Sequence, residues 1–374
     1  MTMYPLLTMN SKKITENAKA VTARARQQGV SVTAITKCFG GNTQIARALL
    51  SGGVTALGDS RIRNLKNFAD LDCEKWLIRI PMLSECEQAV TYADVSLNSE
   101  LSTIRALNAA AGRLGRTHGI LLMIDVGDLR EGWFLGDGAT HSDAIDELAD
   151  GSFHEILDTI KEILAMEHIA FMGIGANETC FGGTIPTEET FAGFLRLADI
   201  IKQTYHLPCP VISGGNSSSY YLLDTGTLPS DINNLRFGEI ILFGRESAFD
   251  TQYSYLNHDS FILEVEIVEM KEKPSYPIGL IGADAFGHVP HFTDRGIRRR
   301  AICALGQQDT CIEHLTPLDT YITIEGGSSD HMILDVTDSR QHYQVGDIIR
   351  LRCDYVSSLR ICTSDYVKKL VVNQ

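Results

Sequence analysis

Residues 31–42, "SVTAITKCFGGN", run from a β-branched apolar stretch into a single lysine, Lys37, and then into a turn built around Gly40 and Gly41. The run reads as a buried strand and the glycines as its terminator. A lysine at that junction must snorkel, pair with an acid, or do work that needs a partly neutral amine. On the upstream side, "SKKITENAKAVTARARQQG" (11–29) puts Ile14, Ala18, Val21 and Ala25 on one helical face, with Gly29 where a C-cap belongs. Downstream, "NTQIARALLSGG" is a second helical pattern and "VTALG" a second short apolar run.

The alternation continues with "WLIRI" (76–80), "ADVSLN" (93–98), "GILLMID" (119–125), "IAFMGIG" (169–175), "CPVISGG" (209–215) and a last run around Leu235 to Phe243. Helical patterns separate several of these, notably at 99–112, 153–166 and 187–204. Eight near-continuous apolar strands interleaved with helices imply a parallel sheet covered on both faces, and the α/β class. The repeat count suits a TIM-like (β/α)8 barrel over residues 1–250. Periodicity does not show closure, so a doubly wound open sheet is the other arrangement it allows. From 251 to 374 the patterns change to alternating apolar and polar residues, as in "SFILEVEIVEM", "RRRAICALG", "TYITIEGGSSDHMILDV" and "YQVGDIIRLRC". These predict a mostly antiparallel C-terminal β domain.

The chain has 374 residues, 44% of them hydrophobic, with a formal net charge of −14. Acidity with scattered basic residues argues against a nucleic-acid partner, and "RGIRRR" (295–300) is too short to change that. Nine cysteines, an odd number with no CxxC pair, suit a reducing compartment. The start lacks a basic leader with an apolar core, and no apolar run approaches twenty residues, so a cytoplasmic protein with no membrane segment is expected. The eleven histidines show no HxxxH spacing, and no metal site is predicted.

Ligands of parallel barrels and sheets bind at the carboxyl ends of the strands. The polar residues at those ends are Lys37, Asp59, Asn98, Asp125 with "VGDLREG", Asn177 with Glu178, Ser213 and Gly214 with Asn216 and Ser217 in "SGGNSSS", and Arg236 with Gly238. "SGGNSSS" can turn its amides and hydroxyls toward a phosphate, although an ordinary Gly/Ser loop has the same composition. Its place after the seventh strand favours phosphate. Apolar surroundings and nearby cations such as Arg130 lower an amine's pKa, the condition for covalent chemistry at Lys37. A reactive lysine beside a phosphate cup points to pyridoxal phosphate, while residue types alone leave a structural, ion-paired lysine as the alternative.

These stretches, with "MIDVGDLREGWF", "IGANETCFGGTIPT", "LRFGEIILFGRESA", "IGADAFGHVPHF", "GGSSDHMILDV" and "DYVSSLRICTSDYV", resemble the fold-type III pyridoxal-phosphate enzymes of the alanine racemase family. Within it the sequence is most similar to the ornithine racemase-like subgroup, over almost the whole chain and in the family's order. The resemblance implies that Lys37 anchors the cofactor and that Arg236 faces its pyridine nitrogen. Ser217 and Gly238 match phosphate-binding positions, and Tyr355 a tyrosine that reaches the phosphate from the C-terminal domain. Arg130 matches an arginine beside the cofactor phenolate and the substrate carboxylate. In the family the partner subunit completes the site, at positions matching Ser329 and Asp330, which implies a homodimer with shared active sites.

A guanidinium keeps its proton at neutral pH, so a pyridine nitrogen facing it stays unprotonated and the ring becomes a weaker electron sink. Reprotonation at Cα is thereby favoured, as in a racemase acting on a free amino acid. Three departures stand out. "LIGADAFGH" has Ala283 and no tyrosine, leaving Asp284 and His288 as ionisable candidates for the second proton carrier. Met123 stands where alanine racemases often have a modifiable lysine, and "KCFGGN" lacks the tyrosine that follows the lysine there. A larger substrate than alanine is expected, basic such as ornithine or lysine, or a broad range. The acids Asp128, Glu131 and Glu178 are candidates for its side-chain ammonium, or else partners that hold Arg130. The rival readings are a decarboxylase or β-hydroxy amino-acid aldolase on the same cofactor, and a noncatalytic cofactor-binding protein.

Overall fold

The computed structural model describes residues 3–135, 145–207 and 211–373, with backbone alone over 145–152. Cys209 and the start of the expected strand at 209–215 lie outside the described residues. The chain divides into two compact units. One comprises Lys13–Lys37 and Gly41–His258, and the other comprises Met1–Lys12, Cys38–Gly40 and Asp259–Gln374.

The first strand, β1 (Leu6–Asn10), belongs to the second unit, although it opens the chain. The first unit contains β2 (Ser31–Ile35), β3 (Ala56–Asp59), β4 (Glu74–Leu77), β5 (Val95–Asn98), β6 (His118–Asp125), β7 (Trp133–Phe134), β8 (Ile169–Ala176), β9 (Val211–Gly214) and β10 (Asn234–Phe237). All but β7 form a ring of eight parallel strands, with β5 paired to β6 and β10 returning to β2. This closure selects the barrel over the open sheet. Among the described residues the short β7 pairs only with the end of β6.

Helices follow each barrel strand, including Thr43–Ser51, Leu101–Leu114, Ile145–Leu164 and Glu188–Tyr205. Asn42 caps the first of these by accepting from the amides of Gln44 and Ile45. All eight residues of β6 are buried, as a strand sandwiched between barrel interior and helices requires. Inside, Ala56, Trp76, Val95, Leu97, Leu121 and Met123 pack into one cluster, so the barrel centre is filled rather than open. The apolar run at 235–243 proves to be two elements. Strand β10 stops at Phe237, and Glu239–Phe243 is a helix begun at Gly238, because an apolar run this short carries no period that separates strand from helix.

The second unit is built on β11 (Phe261–Pro274), with β12 (Ile297–Cys303), β13 (Leu315–Pro317), β14 (Thr323–Gly327), β15 (Met332–Asp335), β16 (Ile348–Cys353) and β17 (Lys368–Val372). The sheet runs β13-β16-β11-β12-β15-β14, and β1 pairs antiparallel with β11 and parallel with β17. Apart from that parallel pair it is antiparallel, as the alternation predicts. The contact boundary at His258/Asp259 falls eight residues after the expected one at 250. No helix among the described residues is long and apolar enough to cross a membrane.

Candidate active site

Lys37 lies one residue beyond β2 and opens a single turn of 3-10 helix, Lys37–Phe39. It is half-buried, and the residue before it is braced: Thr36 Oγ1 donates to Asp59 Oδ2 at 2.5 Å and to Gly58 O at 3.2 Å. Asp59 is buried at the end of β3, where it also accepts from Arg61 N and Asn64 Nδ2. Burial raises its pKa, and these hydrogen bonds oppose the rise. The strand end that presents the lysine is therefore fixed by its neighbour in the barrel.

Arg236 lies on β10, adjacent to β2 and in register with Thr33. Its side chain is buried among acceptors that carry no charge: Nη1 donates to Ser213 Oγ, and Nη2 to Ala176 O at 2.5 Å and to Asn177 Oδ1 at 2.6 Å. Burial lowers its pKa to about 10, which leaves it cationic at neutral pH. Gly175 lies beside the guanidinium, and a Cβ there would crowd Leu121 Cδ2 at 2.9 Å and Met123 Sδ at 3.2 Å.

Ser217 begins a 3-10 turn after β9, with Asn216 as its cap. Its Oγ accepts from Gly238 N at 3.3 Å and Ile240 N at 3.2 Å, and a hydroxyl that accepts twice can still donate its own proton. Gly215, at φ 94°, makes the sharp turn that a Cβ would obstruct, 2.9 Å from Ser219 Oγ. Asn216 is spent on the loop from β8: Nδ2 donates to Glu178 O at 2.8 Å and to Cys180 Sγ at 3.2 Å. Ser213 acts on Arg236, and Gly214 packs where a Cβ would lie 2.7 Å from Ile232. Both support the site from behind.

Arg130 follows β6 in a loop held by Asp125, whose Oδ1 accepts from Gly127 N and Leu129 N. Glu131 pairs with Arg130, while Asp128 instead accepts from the amides of Cys180, Phe181 and Thr184. Burial pushes Glu178 up to about 8, so it is mostly neutral at pH 7. Of the three acids considered for a substrate ammonium, two are thus committed within the unit and the third is largely uncharged. Burial raises the Cys180 thiol, with Arg130 and Lys37 pulling the other way.

The remaining candidates lie in the second unit. Tyr355 opens the helix Tyr355–Ile361, capped by Asp354, and its carbonyl accepts from the Cys38 thiol at 3.7 Å. Ser329 and Asp330 are exposed at the tip of the β14–β15 hairpin. Asp284 closes its own loop, accepting from Phe286 N and His288 N at Oδ1. Those amides lower its pKa, which suits a turn residue and makes a poor proton donor. His288 is exposed beside it, Nδ1 lying 3.8 Å from Asp284 Oδ2. Among the described residues no His, Cys, Asp or Glu group is arranged to hold a metal ion.

The alanine racemase N-terminal domain family matches residues 9–246. The chain belongs to the alanine racemase family. It is 45% identical to ornithine racemase of Acetoanaerobium sticklandii, over 98% of this chain and 99% of that protein. It is 37% identical to lysine racemase of Thermotoga maritima, over 98% of each. The resemblance read from the sequence and its enzyme class, racemase, stand on this membership. Among solved structures, alanine racemase from Streptomyces lavendulae aligns with a TM-score of 0.75 at 16% identity, covering 100% of this chain and 98% of the other. D-threonine aldolase from Filomicrobium marinum aligns at 0.69 and 15% identity, covering 96% and 89%. At such identities the likeness is one of fold, and it agrees with the barrel and antiparallel domain seen here.

The local sequence did not reveal the Thr36–Asp59 brace or the second contact of Glu131, to Asn177. The signal for the first was present, since Asp59 ends a strand beside the lysine strand. The second joins two loops 46 residues apart.

Proposed function

We propose that the chain racemises a free basic amino acid, ornithine ahead of lysine, with pyridoxal phosphate as cofactor and as a homodimer. The observation that carries the chemistry is Arg236, a buried guanidinium held by neutral acceptors on the strand beside Lys37. The substrate class follows the two relatives named above, both similar from end to end.

The residues fit the cofactor's three demands. Lys37 offers the amine for covalent attachment, Arg236 a donor for the ring nitrogen, and Ser217 a hydroxyl for the phosphate, its oxygen held by the Gly238 amide. Bound pyridoxal phosphate supplies the electron sink that makes the substrate Cα proton acidic. Because Arg236 keeps its proton, that sink is held weak, and return of the proton to Cα is favoured over transamination. The amine of Lys37 moves the proton on one face of Cα. Arg130, poised by Glu131, orients the substrate carboxylate.

The test is deuterium incorporation at Cα from heavy water, with L- and D-ornithine, lysine and alanine. Both enantiomers of ornithine should exchange and interconvert. Exchange without inversion, or none after loading with the cofactor, sinks the reading. Lys37→Ala should lose the visible absorption band that wild type shows with pyridoxal phosphate, and all exchange with it. Sedimentation should give twice the chain mass.

A further inference from the structure

One carboxylate joins the two arginines of the site. Arg130 pairs with Glu131, Glu131 Oε1 accepts from Asn177 Nδ2 at 2.6 Å, and Asn177 Oδ1 accepts from Arg236 Nη2 at 2.6 Å. The direction of each bond is forced, because a guanidinium only donates and a carboxylate only accepts. The amide of Asn177 must therefore turn its oxygen to Arg236 and its nitrogen to Glu131.

A cation that is 2% exposed and meets only dipoles is costly to hold. Glu131 is the anion that reaches Arg236, through one amide. We propose that Glu131 is a positioning residue that ties Arg130 and Arg236 into one hydrogen-bonded unit, so that a single carboxylate orients both guanidiniums.

The backbone holds Glu131 to that task. Leu129 sits in the left-handed region at φ 54°, and Gly132 at φ 130° is where a Cβ would lie 2.5 Å from Asp125 N. Asp125 gathers the amides of Gly127 and Leu129 beneath the loop. Asp128 is no substitute, since the amides of Cys180, Phe181 and Thr184 occupy it. Without the Glu131 carboxylate, Arg130 loses its ion pair and the Asn177 amide is free to turn.

The functional consequence rests on the racemase reading above, and the experiment separates the two. Wild type, Glu131→Gln, Glu131→Asp, Asn177→Ala and the double variant Glu131→Gln/Asn177→Ala are titrated with pyridoxal phosphate by absorbance and assayed with both ornithine enantiomers. Glu131→Gln should weaken cofactor affinity and lower kcat in both directions by roughly tenfold or more, with a thermal midpoint near that of wild type. Glu131→Asp should recover part of each. The double variant should be no worse than the poorer single variant, because both substitutions break the same chain. Near-wild-type affinity and kcat in Glu131→Gln, or effects that multiply in the double variant, would overturn the proposal. Phenylglyoxal labelling of cofactor-free protein, mapped by mass spectrometry, gives an independent readout. Arg130 should react several-fold faster in Glu131→Gln and in Asn177→Ala, and an unchanged rate in Asn177→Ala refutes the link. Should wild type neither bind the cofactor nor racemise, the racemase reading fails and the labelling alone decides the link. If Glu131→Gln does not fold, Asn177→Ala and Glu131→Asp carry the test.

Discussion

A carboxyl group that meets neither water nor a hydrogen-bond partner keeps its proton, and Glu178 is such a group among the described residues. Burial raises it to about 8; the nearby Thr190 hydroxyl, which donates to Thr187 O, offsets this only partly, and Asp128 adds to the rise. The folded pKa exceeds the unfolded value, so the contribution to stability is complete below about pH 4.5 and is lost as pH rises through 8. Glu178→Gln removes that dependence. Its unfolding free energy in urea, relative to wild type, should rise by on the order of 4 kcal/mol between pH 4.5 and 8. A difference constant across that range would contradict the assignment. At this scale the strand-end rule selects Lys37, Arg236 and Ser217 as candidates from the sequence, because each stands next to an apolar run. It gave no access to the burial of Glu178 or to the contact between Glu131 and Asn177, which depend on residues brought together from separate turns of the barrel.

The barrel strands were readable as apolar runs, yet β8 contains a feature that its pattern hides. Its pairing with β6 shifts between Ile120 and Leu121, where Gly173 sits at φ 137° and a Cβ would lie only 2.0 Å from Val211 O. The irregularity re-aims the strand end that carries Ala176 and Asn177, both acceptors for Arg236. Gly173→Ala should cost roughly 2–4 kcal/mol, by strain at that φ and by the clash with backbone, measured as a lowered urea midpoint. It should also weaken cofactor binding, and a substitution with neither effect would show the irregularity to be incidental. Helices Ile62–Lys66 and Cys86–Tyr92 were not legible, because five and seven residues are too few to establish a 3.6-residue period. Strand β1 escaped for a related reason: "LLTMN" is five residues that merge into the helix Ser11–Gln27.

For the whole molecule, β1 has the widest consequence, because it separates sequence order from folding unit. Leu6, Leu7 and Met9 are buried, and the strand lies between β11 and β17, pairing Leu7 with Leu263 on one side and with Lys369 on the other. A fragment Asp259–Gln374 would lack this strand and leave both neighbours with an open edge. Burial of three large apolar side chains is worth about 5 kcal/mol or more, comparable to the total stability of a domain. The fragment expressed alone should therefore be largely unfolded by circular dichroism and quickly cleaved by trypsin. A peptide covering residues 1–12 should restore sheet signal and protease resistance, whereas a peptide with Leu7→Asp and Met9→Asp should not. A fragment that folds fully unaided would show that the C-terminal strands are sufficient, and that β1 joins a sheet already stable without it.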